Sequence, residues 1–211
     1  MVRFIFMGDS ITDCNRNRED FIPYGLGTGY AFLTSTKLST MHPEKEIEFL
    51  NRGISGNRIT DLVARWKRDV INLKPDMLTI LIGVNDTWHE ADRLEGVSVG
   101  QYEKLYRMLI EWTLQELPDL KIALLEPFTL DVGAVAEWDD KYKKEIPVRA
   151  AVVKKIAADF GLLFVPLQEK ILSAAKACGA EKILRDGVHP AILGHAIISD
   201  SVVDAVNGWF E

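Results

Sequence analysis

Five short apolar runs constrain this chain more than any other feature: Val2 to Met7, Ile47 to Leu50, Met77 to Ile82, Ile122 to Leu125, and Leu162 to Val165. Each is mainly apolar without strict alternation, interrupted only by Arg3, Glu48 and Thr79, the pattern of strands covered on both faces. Helix-period stretches lie between them, so the sequence predicts a parallel five-stranded sheet inside a three-layer α/β/α sandwich. Right-handed crossovers leave few topologies, of which a doubly wound sheet is the most economical.

The helices carry their own signals. One is expected from Gly29 to Met41. From Asn57 onward, Ile59, Leu62, Val63, Trp66 and Val70 recur at helical spacing until Pro75 closes the segment. Tyr102, Leu105, Tyr106, Leu109 and Ile110 repeat the pattern from Gln101 to near Pro118. A further helix is predicted from Pro147 to a Gly161 cap, and a last one opens at Pro190 with Ile192, Ala196, Ile197 and Val203 buried. Two long loops are expected, Gly83 to Val99 and Pro127 to Ile146, and loops of that length in a compact domain are usually functional.

At 211 residues without a linker, repeat or low-complexity tract, the chain reads as one domain over 1–211. Thirty-one acidic against 25 basic residues give a net charge of −6, and no basic stripe overrides that balance, so nucleic acid is an unsuitable partner. The apolar runs are far short of a membrane span. The sequence enters its first strand at once with no signal-peptide pattern, and Cys14 and Cys178 are too few for a disulfide framework and lack metal-site spacing. A reduced cytoplasm is the expected location, and no metal or organic cofactor is implied.

Open α/β sheets place ligands at the carboxyl edge of their strands. Gly8-Asp9-Ser10-Ile11-Thr12 follows the first run there, so the Ser10 hydroxyl is placed to act as a nucleophile; the same residues also suit a plain strand-to-helix turn. The second run leads to Asn51-Arg52-Gly53-Ile54-Ser55-Gly56-Asn57, where a glycine N–H is free to act as an oxyanion donor, or Asn57 simply caps a helix. After the third run, Asn85 offers a side-chain amide donor, while Asp86 reads as a cap. Near the carboxyl terminus, Asp186-Gly187-Val188-His189-Pro190 places an acid three residues before a histidine on one tight loop. Nucleophile, base, orienting acid and oxyanion donors are the set that acyl transfer requires.

These four blocks, G-D-S-I-T, N-R-G-I-S-G, G-V-N-D and D-G-V-H-P, resemble in type and order those of the SGNH, or GDSL, hydrolases. The α/β-hydrolase elbow G-x-S-x-G is absent. The resemblance implies a flavodoxin-like SGNH hydrolase fold, a Ser10, His189 and Asp186 triad, and an oxyanion hole from the N–H groups of Ser10 and Gly53 with the Asn85 amide. Gly27 to Tyr30, Gly53 to Asn57, Asp61-Leu62 with Arg65-Trp66, Lys74-Pro75-Asp76 and Asn85 to Trp88 are further similar to acetylxylan esterases and related carbohydrate deacetylases. That branch removes O-acetyl groups from xylan fragments.

Aromatic faces at Trp88, Phe128, Trp138 and Tyr142 are placed to stack on sugar rings, and Asp9, Arg58, Asp131, Asp139 and Asp140 to meet polar groups of a substrate. The same aromatics equally suit a covered sheet edge or a contact between copies of the chain, so homo-oligomerisation is an open expectation. Two other readings stand beside the carbohydrate deacetylase: a general short-chain carboxylesterase or lysophospholipase-like acylhydrolase, and a flavodoxin-like binding module with a phosphate in its first loop. The last gives no reason for Asp186 and His189 to share a loop.

Overall fold

A computed structural model describes residues 1–18 and 25–210. Its strands are β1 (Val2–Gly8), β2 (Ile47–Asn51), β3 (Met77–Leu81), β4 (Lys121–Leu125) and β5 (Leu163–Val165), all parallel, in the order β2-β1-β3-β4-β5. The helices are α1 (Ser10–Asp13), α2 (Tyr30–Met41), α3 (Ile59–Asp69), α4 (Val84–Arg93), α5 (Val99–Glu116), α6 (Asp140–Phe160), α7 (Gln168–Cys178) and α8 (Ile192–Val206). This is the expected three-layer α/β/α sandwich with a doubly wound, flavodoxin-like strand order.

Side chains along β1 alternate between the two layers. Phe4 and Phe6 join the core beneath α2, α7 and α8, whereas Ile5 and Met7 join the core beneath α3, α5 and α6. Continuous apolarity is thus the sum of two buried faces. In the second layer Trp66 is fully buried, and its indole N–H donates to Thr113 Oγ1 at 2.9 Å, while that hydroxyl donates to Leu109 O at 2.6 Å. The polar edge of a large aromatic is thereby satisfied inside the α3–α5 contact.

Several helix expectations are corrected. The stretch predicted as a loop from Gly83 to Val99 is mostly α4, whose buried side carries Val84 but also Asn85, Asp86 and Thr87. A polar buried stripe gives no hydrophobic period to read. The predicted loop from Pro127 to Ile146 holds a 3₁₀ turn at Gly133–Glu137 and the first turns of α6. Pro147 lies inside that helix on its exposed side rather than at its start. Helix α7, between β5 and the last helix, has no counterpart in the sequence reading. In α8, Val203 is buried as expected, but Ile192 is 85% exposed and Ala196 and Ile197 are half-buried, and the rest of the buried side runs through His195, Ile198, Ser199, Val202 and Val206.

Replacing Trp66 by alanine leaves a cavity between α3 and α5 and should cost about 3–5 kcal/mol. Urea unfolding checks this, and a midpoint equal to that of the parent would contradict the packing role.

Candidate active site

The site forms where β1 and β3 part company at the carboxyl edge. Gly8 pairs with Leu81 at the end of both strands, and the chain then turns in opposite senses into α1 and α4. A Cβ on Gly8 would lie 2.5 Å from Leu81 O, so only glycine allows the strands to remain paired up to the turn that carries Ser10.

Ser10 is the first residue of α1, and its Oγ lies 2.9 Å from His189 Nε2. His189 Nδ1 lies 2.7 Å from Asp186 Oδ2. An ionised carboxylate only accepts, so Nδ1 carries the hydrogen and Nε2 of the neutral ring is left to accept from the serine hydroxyl. Asp186 Oδ1 also accepts from the backbone N–H groups of Val188 (3.0 Å) and His189 (2.7 Å). Burial opposes the charge on Asp186, but these backbone donors and the imidazole outweigh it and hold the carboxyl below its usual range. Three sequence-predicted residues from opposite ends of the chain therefore meet in one relay.

The Asp186–His189 loop is fastened from behind. Leu130 N–H donates to Gly187 O (2.9 Å), Val135 N–H to Asp186 O (3.2 Å) and Arg185 N–H to His189 O (3.0 Å). Gly187 sits at φ +91°, and a Cβ there would approach Val132 O to 2.5 Å.

The oxyanion side needs one correction. Gly53 N–H donates to Asn51 Oδ1 at 2.9 Å, so it is not free to face a substrate oxygen. Gly53 is glycine for another reason: a Cβ would lie 2.3 Å from Asp13 N, so its backbone packs directly behind α1. Asn51 completes the clamp, its amide donating to Thr12 O (2.6 Å) and Leu26 O (2.8 Å). Three residues further on, Gly56 has φ +82°, is partly exposed, and its N–H has no hydrogen-bond partner among the described residues. Ser10 N–H, at the first position of a helix, lacks an intrahelical acceptor as well. The Asn85 amide donates one hydrogen to Asn57 O at 3.1 Å and retains the other. Ser10 N–H, Gly56 N–H and Asn85 Nδ2 are the donors this region has to offer.

The proposed substrate contacts divide. Trp88, on α4, lies 5.9 Å from the His189 ring and meets Trp138 edge-on at 5.4 Å, so both indoles form a wall beside His189. Asp9 and Arg58 are corrected. Asp9 is buried and caps α1, accepting from Ile11 N–H at 3.0 Å. Arg58 is tied into the start of α3 through Asp61 (3.0 Å) and donates to Glu95 O. Phe128 and Tyr142 are core residues rather than stacking faces. Asn57 does not cap α3; Asp86 does so from α4, accepting from Ile59 N–H at 3.1 Å. Cys14 is partly exposed, with Sγ 3.4 Å from His195 Nε2.

Among the described residues no group of three His, Cys, Asp or Glu side chains is placed to hold a metal ion, and no helix is long and apolar enough to cross a membrane.

Comparison with known proteins agrees with this geometry. A model of the GDSL-like lipase/acylhydrolase family matches residues 6–197. The acetylxylan esterase of Geobacillus stearothermophilus is 37% identical over 204 residues, covering 93% of this chain and 90% of its own. Its crystal structure superposes with a TM-score of 0.85 at 34% identity, over 97% of this chain and 94% of that one. Catalytic mutants of that enzyme with a serine, an aspartate or a histidine replaced by alanine are also among the similar solved structures. A protein described as a GDSL-like lipase from Parabacteroides merdae reaches a TM-score of 0.92 at 35% identity, over 98% of this chain and 95% of that one. On the match across nearly its whole length, the chain belongs to the GDSL-like lipase/acylhydrolase family and is a carboxylic ester hydrolase.

Proposed function

We propose that the chain is a serine esterase that removes O-acetyl groups from carbohydrate, with acetylated xylo-oligosaccharides as its substrate class. The observation that carries this reading is the continuous relay from Ser10 Oγ through His189 to Asp186, beside the Trp88–Trp138 wall. Similarity to an acetylxylan esterase over 93% of the chain supports the choice of acyl group and sugar.

In this mechanism His189 Nε2 takes the Ser10 proton as Oγ attacks the ester carbonyl carbon. The carbonyl oxygen becomes an anion held by Ser10 N–H, Gly56 N–H and the Asn85 amide. The intermediate collapses as His189 returns the proton to the departing sugar hydroxyl, leaving acetyl on Ser10. Water, deprotonated by His189, then attacks the acyl carbon, and acetate leaves as Ser10 regains its hydrogen. Asp186 stabilises the imidazolium in both halves. Sugar rings laid against Trp88 and Trp138 would be positioned by their apolar faces.

Asp9 supports the nucleophile from below. Burial pushes its carboxyl up from the usual 3.8 to about 7, against the pull of Ile11 N–H and His189. The folded protein therefore holds this proton more tightly than the unfolded chain. The stability that the proton confers is complete below pH 3.8 and is lost as the pH rises through about 7.

Acetate release from acetylated xylo-oligosaccharides should be efficient and abolished in Ser10→Ala, with little turnover of p-nitrophenyl octanoate. Hydrolysis of simple esters alone would reject the carbohydrate assignment. Asn85→Ala should lower kcat by roughly a hundredfold to a thousandfold, by analogy with other oxyanion donors; near-normal turnover would remove Asn85 from the hole. Asp9→Asn keeps an acceptor for Ile11 N–H and has no charge to bury, so its stability relative to the parent should increase between pH 5 and pH 8. A pH-independent difference in denaturation would contradict the buried titration.

A further inference from the structure

Behind the oxyanion side lies a cation that the reaction scheme above does not use. Arg65, on α3, is buried, and its guanidinium reaches three residues on two segments, the end of β1 and the loop after β2. Nε donates to Asn57 Oδ1 at 2.8 Å, Nη1 to Arg52 O at 2.7 Å, and Nη2 to Gly8 O at 3.1 Å. Nη1 also pairs with Asp69 Oδ2 at 2.8 Å, one turn along the same helix, which supplies the countercharge that burial demands.

We propose that Arg65 is a positioning residue for ester hydrolysis, its planar guanidinium setting the relative placement of the three oxyanion donors. Gly8 O lies two residues before Ser10. Arg52 O and the Asn57 side chain bracket the turn that carries Gly56. Asn57 O accepts from Asn85 Nδ2 at 3.1 Å, so the third donor is joined to the same fork through one intervening residue. Backbone bonds already pair these segments at the strand end, from Arg52 N–H to Phe6 O (2.8 Å) and from Ile54 N–H to Gly8 O (3.1 Å). What Arg65 adds is the register of Asn57, and with it the Gly56 turn and the Asn85 amide. A lysine ammonium is a point donor on a flexible stem and cannot reproduce a rigid fork that spans Asn57, Arg52 and Gly8. Asp69 faces Arg65 and Arg68 and anchors the guanidinium at its far end.

The inference rests on the serine esterase reading, and the test separates the two. With p-nitrophenyl acetate as substrate and rates normalised to active sites titrated by an organophosphate, Arg65→Lys should lower kcat by roughly tenfold to a hundredfold, the scale of a small misplacement of catalytic groups. KM should stay within about twofold and the pH profile should keep its shape, because the Ser10–His189–Asp186 relay is untouched. Asn57→Ala should produce a comparable loss, and the double variant should be no worse than the poorer single one, since both act through the same contact. A normalised kcat equal to that of the parent in Arg65→Lys, or losses that multiply in the double variant, would overturn the inference. If Arg65→Lys does not fold, Asn57→Ala decides alone, and parental turnover there overturns it. Ser10→Ala is run in parallel: turnover near the parental level in that variant defeats the serine esterase reading itself, whereas a severely disabled Ser10→Ala beside a fully active Arg65→Lys defeats only the role of Arg65.

Discussion

The close approach of three backbones at the end of β1 is the constraint on which the rest of the site depends. Gly8 lies against Leu81 O, Gly53 against Asp13 N, and the Asn51 amide joins the carbonyls of Thr12 and Leu26. Side chains at either glycine would force these segments apart by more than the hydrogen bonds between them tolerate. Once the segments are locked, α1 has one direction available, and Ser10 at its first position faces the gap between β1 and β3.

That gap exists because consecutive crossovers wind to opposite faces of the sheet. The connection from β1 leads to β2 on one side, and the connection from β2 returns across β1 to reach β3 on the other. The loops therefore separate at β1 and leave a crevice at the carboxyl edge, where helix starts and free N–H groups converge. His189 and Asp186 reach this crevice from the chain's last loop before α8, held by the segment around Leu130 and Val135. The fold supplies the crevice, and short polar blocks at its rim supply the chemistry.

Much of this was legible in the sequence because it rests on local signals. Strands buried on both faces show as largely apolar runs, and the observed bounds differ from the runs by a residue or two. Ser10, Asp186 and His189 are legible because each lies in a short turn with its own chemistry. Helix α4 was not, since Asn85, Asp86 and Thr87 occupy its buried side and satisfy partners that only the folded chain brings near. The choice between Gly53 and Gly56 was not legible either. Both have glycine's freedom, and what removes Gly53 is a hydrogen bond to the side chain of Asn51. Pro147 misled for a different reason: proline is favoured in a helix's first turn, but the buried side of α6, with Tyr142 and Ile146 before it and Arg149 and Val153 after it, carries the helix past the proline despite its cost.

The contact between Ser10 and His189 joins residues 179 apart in sequence. In the proposed mechanism each half of the relay depends on the other, and α8 follows directly on the loop that presents the second half to the first. On that reading Ser10 emerges during synthesis long before His189, and the growing chain lacks its relay until the loop before α8 has packed. Under the proposed mechanism ester cleavage reports on the completeness of folding, and a population of molecules frayed at α8 would register as a smaller number of working enzymes rather than as slower ones.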